Sequence, residues 1–306
     1  MSLQRVFSAI TRLKNDNHMD EIGDFVLARY PHAGWIHEYL IMTISTFVAS
    51  GCQDKEYLIE LMKGDDYFYS RAWEAVLYQT LIEQGFRISG PDGGPDFLLD
   101  TANAGPVFVE ATTPKPEGLP AAWLDEKGDV HHMPHEEMLL RWTNSLSTKS
   151  RKHIEDITKG NAEHGVSFVI AINSCRLSRS PMDEGISGKP FAVEAVFPIG
   201  PVAVKVNRDT GEFGDAYQSW RDTIPKPKTS KDIPTDNFLN DDYSHVSALI
   251  GCSRLWNEKD REPQLPTMFL VHNPLAKNPL PHGWLAGAVE YVADIKDDEI
   301  SISRIA

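Results

Sequence analysis

Three carboxylates stand near one another in the chain, each on a different local pattern: Glu74, Asp96 and Glu110. Clustered carboxylates repel unless a cation neutralises them. A set of oxygen donors alone suits Mg2+ or Mn2+. An ion held that way lowers the pKa of a bound water and offsets charge on a phosphate ester.

The elements that must position these groups can be read from periodicity. Glu74, Leu77, Tyr78 and Leu81 fall at i, i+3, i+4 and i+7, one face of a helix expected over residues 71–84. Ser70 is its expected N-cap and Gly85 its stop. Glu74 heads the core-facing stripe, where a carboxylate needs a metal, a lysine or a hydrogen-bond network. The segment SGPDGGP is turn chemistry. Two apolar runs, 96–100 and 106–112, are joined by TANAG and read as a hairpin. With a side-chain period of two, Asp96 shares a face with Leu98, and Glu110 shares one with Phe108 and Thr112. The hairpin can therefore bring Asp96 to Glu110.

A long helix is expected over 135–160. Leu139, Trp142, Leu146, Lys149, His153 and Ile157 follow helical spacing along one stripe. Lys149 thus lies on the inward face, where it needs a carboxylate partner. Lys152 falls off the stripe and is expected to reach solvent. A buried strand over 166–173 (VSFVIAIN) follows.

This pattern resembles the PD-(D/E)XK nuclease superfamily over roughly residues 71–173. Pro95-Asp96 matches the PD, Glu110 matches the (D/E), and Glu74 matches the acid on the preceding helix in many members. The resemblance implies a restriction-endonuclease-like α/β fold, a central mixed sheet flanked by helices. It also implies Mg2+ (or Mn2+) held by Glu74, Asp96, Glu110 and the carbonyl of Ala111. Thr112 stands where the motif lysine belongs. In some members that lysine has migrated to a neighbouring helix, which would make Lys149 the fourth catalytic residue. Lys115, in a proline-rich loop, is a second candidate. The implied reaction is phosphodiester hydrolysis of DNA, with RNA second.

The whole chain frames this reading. It has 306 residues, 41% hydrophobic and 24% charged, which fits a globular rather than a disordered protein. Net charge is −14, so a general nucleic-acid coat protein is excluded, although a locally basic groove is not. The cysteines, Cys52, Cys175 and Cys252, form no CxxC pair, and reduced thiols in a cytoplasmic protein are expected. No signal peptide and no membrane span are expected. Residues 1–65 read as a helical N-terminal extension, with Val6, Ile10 and Leu13 on one stripe and a second helix after Pro31 and Gly34. Residues 66–306 read as the α/β domain, with a β-rich C-terminal half. That half holds strands at 202–206, 246–252 and 267–272, and a proline- and charge-rich exposed loop over 221–241.

Other signals point elsewhere or nowhere. His131, His132 and His135 have no settled zinc spacing, and a surface loop is the simpler reading. Asp92 repeats the Pro-Asp pair, but no strand follows it directly. Arg141, Arg151 and Lys152 make the long helix locally basic and are candidates for phosphate contact. There is no GxxxxGK[ST], GxGxxG or GxSxG. The alternative to a nuclease is a catalytically inactive protein that keeps the fold for binding or assembly. A third reading is an unrelated α/β protein in which the acids never meet.

Overall fold

Valine, isoleucine and phenylalanine crowd the central strands on both faces, the mark of strands covered by helices on each side. The computed structural model describes residues 18–90, 93–125, 132–227, 229, 231–259, 262–296 and 299–305. Its helices are α1 His18–Arg29, α2 Gly34–Ser50, α3 Tyr57–Leu61, α4 Asp65–Glu83, α5 Ala121–Leu124, α6 His135–Lys159 and α7 Phe191–Glu194. The first strands are β1 Arg87–Ser89, β2 Phe97–Thr101, β3 Gly105–Thr112, β4 Ser167–Asn173, β5 Ile199–Val206 and β6 Phe213–Trp220. Short strands β7 Thr223–Pro225 and β8 Asp232–Pro234 lead to β9 Ala248–Cys252. The last are β10 Asn257–Lys259, β11 Glu262–Gln264, β12 Phe269–His272, β13 Val289–Lys296 and β14 Glu299–Ile305.

Eight strands form one mixed sheet in the order β1-β2-β3-β4-β9-β12-β13-β14. Strands β3, β4 and β9 run parallel, β1 and β2 are antiparallel to their neighbours, and β12 runs antiparallel to β9 but parallel to β13. Alternate residues feed two cores. Val107, Val109, Ala111, Val169 and Ala171 pack with the N-terminal helices and α4. Phe108, Phe168, Ile170 and Ile172 pack with Leu139, Trp142 and Leu146 of α6. The expected α/β fold with a mixed central sheet, flanking helices and a helical N-terminus is what the chain adopts. The N-terminal helices share a core with the sheet, through Ile22, Val26, Leu40 and Phe47. The stripe Val6, Ile10 and Leu13 lies outside the described residues.

Two local expectations need correction. The helix carrying Glu74 starts at Asp65, not after Ser70, and Gly64 precedes it at φ 131°. Asp65 and Asp66 then complement the first-turn dipole, and Ser70 sits inside the helix. The segment 221–241 is not simply exposed. It folds into the β7–β8 pair and buries Ile224, Thr235, Asn237 and Phe238.

Candidate functional site

The hairpin register decides where the two strand acids meet. Phe97 pairs with Val109 and Leu98 with Phe108, so Asp96 falls opposite Glu110, one step beyond the ladder. Directly opposed residues share a face, and Leu98 and Phe108 mark it as the α6 side. The Asp96 carboxylate reaches the neighbouring backbone, where Oδ2 accepts the Ala111 N–H at 2.7 Å. The two glycines before Pro95, both at positive φ, make the turn that delivers Asp96. A Cβ on Gly94 would stand 2.6 Å from the carbonyl oxygen of Asn161.

Helix α6 supplies the cations. Lys149 Nζ donates to Glu110 Oε1 at 2.5 Å. Lys152 Nζ donates to the same oxygen at 2.8 Å and to the Gly94 carbonyl at 3.3 Å. Lys149 was expected to face inward; Lys152 was expected to reach solvent, and its side chain is 41% exposed, but its ammonium also turns to Glu110. Residues three apart on a helix are neighbours, so both ammonium groups span to one carboxylate at the stripe's edge. Glu110 itself is 2% exposed, which is tolerable only with such partners.

Glu74 approaches from the other layer. It lies on α4, which packs on the face of Val109 and Ala111. Its carboxylate accepts two hydrogen bonds from Arg71 Nη1, at 2.8 and 3.1 Å. Arg71 also pairs with Glu60 and with Asp54. This partner, three residues back on the same helix, was missed although its spacing is plain in the sequence. The three acids are nonetheless electrostatically linked. Burial, then the charge of Asp96, push Glu74 up to about 8 against the pull of Arg71. Asp96 keeps partial contact with solvent, yet burial of its carboxyl and the charge of Glu110 push it up to about 6. Burial disfavours the charged form of Lys149, but Glu110, Asp96 and Glu74 outweigh it and hold that ammonium above its usual range.

Beside the cluster runs a groove of about 250 Å3 between the end of β3 and α6. Thr112 and Thr113 form one wall, and Arg141, Ser145, Thr148 and Lys149 the other. Lys115 lines it too and pairs with Asp66 at 3.4 Å. Arg141 therefore shares the helix face of Lys149 and Lys152. Arg151 does not. At about 100° per residue it lies on another flank, where its charge bears on Tyr243.

The donor set fits a hard divalent cation held by few protein groups. Both lysines bond Oε1 of Glu110 and the Ala111 N–H bonds Oδ2 of Asp96, so each acid keeps its other oxygen for a ligand. Mg2+ is commonly bound by one or two carboxylates and keeps several waters. Among the described residues, no group of three or more His, Cys, Asp or Glu is arranged to hold a metal. The Glu74 carboxylate is engaged by Arg71. Of the histidine triplet, His131 lies outside the described residues, as does Asp92. His135 is buried against Glu194, Nε2 to Oε2 2.5 Å, with Arg221 on its other nitrogen. No helix among the described residues is long and apolar enough to cross a membrane. Family models, curated proteins and solved structures offer no match to this chain.

Proposed function

We propose that the chain is a metal-dependent phosphodiesterase of the PD-(D/E)XK type, acting on DNA and less favourably on RNA. The observation that supports this is the convergence of Lys149 and Lys152 on Glu110, across the hairpin from Asp96. A cation from α6 thereby stands in for the one Thr112 cannot supply. Asp96 and Glu110, with the Ala111 carbonyl, would hold Mg2+ or Mn2+; Glu74 would tune their charge from behind. The bound ion, when present, would activate water and neutralise charge on the scissile phosphate. Lys149, released from Glu110 as that acid takes up the ion, would orient the attacking water or face the developing oxyanion. Arg141 and Lys115 in the groove would contact flanking phosphates.

The test is DNA and RNA cleavage under Mg2+ and Mn2+ titration, with chelator controls. Asp96→Ala and Glu110→Ala should abolish cleavage, and activity that survives both would sink the assignment. A second reading has its own observation. Glu110 is neutralised by two lysines and Glu74 by Arg71, so the cluster is balanced without a metal. Under that reading the protein binds nucleic acid equally well in chelator and cleaves none.

A further inference from the structure

Strands β5 and β6 form a separate two-stranded ribbon outside the main sheet. Their register pairs Val202 with Gln218, Val204 with Ala216 and Val206 with Phe213, so these side chains share one face. Trp220, two residues from Gln218, continues that face. The opposite face carries Lys205 stacked over Tyr217, with Asp215 and Ser219. The ribbon therefore has the apolar-in, polar-out alternation of a half-buried sheet, but among the described residues its apolar side stands open. Val202 is 59% exposed, Val204 44%, Val206 50%, Phe213 77% and Trp220 59%. An isolated two-stranded ribbon is at best marginally stable in water, and an apolar patch of this extent marks an interaction surface.

We infer that this ribbon is the dimerisation surface of the protein, its occupant the same ribbon of a second copy. Two features select that occupant. The first is area. At these exposures the five side chains leave on the order of 500 Å2 of apolar surface open. A standard interface buries about 800 Å2 per partner, roughly 60% of it apolar. The patch supplies that apolar share, and a two-fold-related copy supplies the same share from the other side. The second is charge. The face bears no charged side chain on a chain of net charge −14. A phosphate polymer or an anionic bilayer finds no cation there, whereas a second uncharged face stacks on it without unpaired charge. Two such ribbons, face to face, make a small four-stranded sandwich with Val and Ala in the middle and Phe213 and Trp220 towards the ends.

Sedimentation equilibrium on the full chain tests this. The wild type should dimerise at about 10 to 100 µM, and added salt should tighten the dimer by screening the two negative bodies. Val204→Asp and Trp220→Ser should each weaken association by about tenfold or more. Ser219→Ala, on the polar face, should leave it unchanged. Hydrogen exchange on the wild type gives a readout that needs no variant. Amides of β5 and β6 should gain protection as concentration rises through the dimerisation range. A monomer throughout that range would overturn the proposal. So would a dimer indifferent to Val204→Asp and Trp220→Ser, or a ribbon shielded only when anionic vesicles or DNA are added.

Discussion

Two ammonium groups share one carboxylate oxygen at Glu110, and two further acids lie within electrostatic reach. Asp96 and Glu74 both titrate above the usual carboxylate range. A divalent ion binds the deprotonated acids, so its binding releases protons. Mn2+ affinity should therefore climb with pH, most steeply as Asp96 ionises around pH 6, and flatten above about pH 8. Calorimetry in buffers of different ionisation heat would read the released protons directly. Affinity independent of pH across that span would contradict the assigned ligands. Asp96 and Glu110 were legible because acids are depleted inside apolar strands, and Lys149 because its stripe is regular. Lys152 was not, because strict helical spacing ignores the reach of a long side chain at the stripe's edge. The Arg71–Glu74 pair was legible in principle, since residues three apart on a helix are neighbours.

The elements were more legible than their ends. Helix α6 starts at His135 as expected, since its apolar stripe is long and unbroken. Helix α4 starts six residues earlier than Ser70 suggested, because Gly64 and the two aspartates after it make the better entry. The amphipathic ribbon could not be judged from sequence, since alternation shows that a face is apolar but not whether anything covers it. One turn and one pair on a helix support the site and can be tested. Gly94→Ala would set a Cβ against the Asn161 carbonyl at a φ of 88°. It should cost about 1–3 kcal/mol of stability and impair cleavage by shifting Asp96. Denaturant unfolding alongside the assay would separate the two effects. Arg71→Met would strip the guanidinium partner from a buried acid, a change that typically costs about 3–5 kcal/mol. The companion change Glu74→Gln in the same chain should recover much of that loss, since it removes the stranded charge. A double variant no more stable than Arg71→Met would mean the pair contributes little.

Across the whole molecule, the buried acids set a pH dependence. A carboxyl whose folded pKa is raised favours folding below its unfolded pKa and loses that contribution as pH rises through the folded value. For Glu74 the loss runs from the ordinary carboxyl value of 4.5 up to about 8 and is complete above that. His153, pushed down to about 4 by burial, acts in the opposite sense, but only below about pH 6.5. In chelator, then, the melting temperature should decline between about pH 6.5 and 8 and level off above that, and Glu74→Gln should flatten that slope. Equal slopes in the two proteins would remove Glu74 from the explanation. Mn2+ held by Asp96 and Glu110 should raise the melting temperature of the wild type by mass action.

The central claim is that a lysine from α6 replaces the one missing at Thr112, and it is tested most directly by single-turnover DNA cleavage at saturating Mn2+. Lys149→Met should retain the fold and Mn2+ binding while slowing cleavage by about a hundredfold to a thousandfold. A wild-type chain that cleaves no phosphodiester under these conditions, or a Lys149→Met variant that cleaves at the wild-type rate, would contradict it.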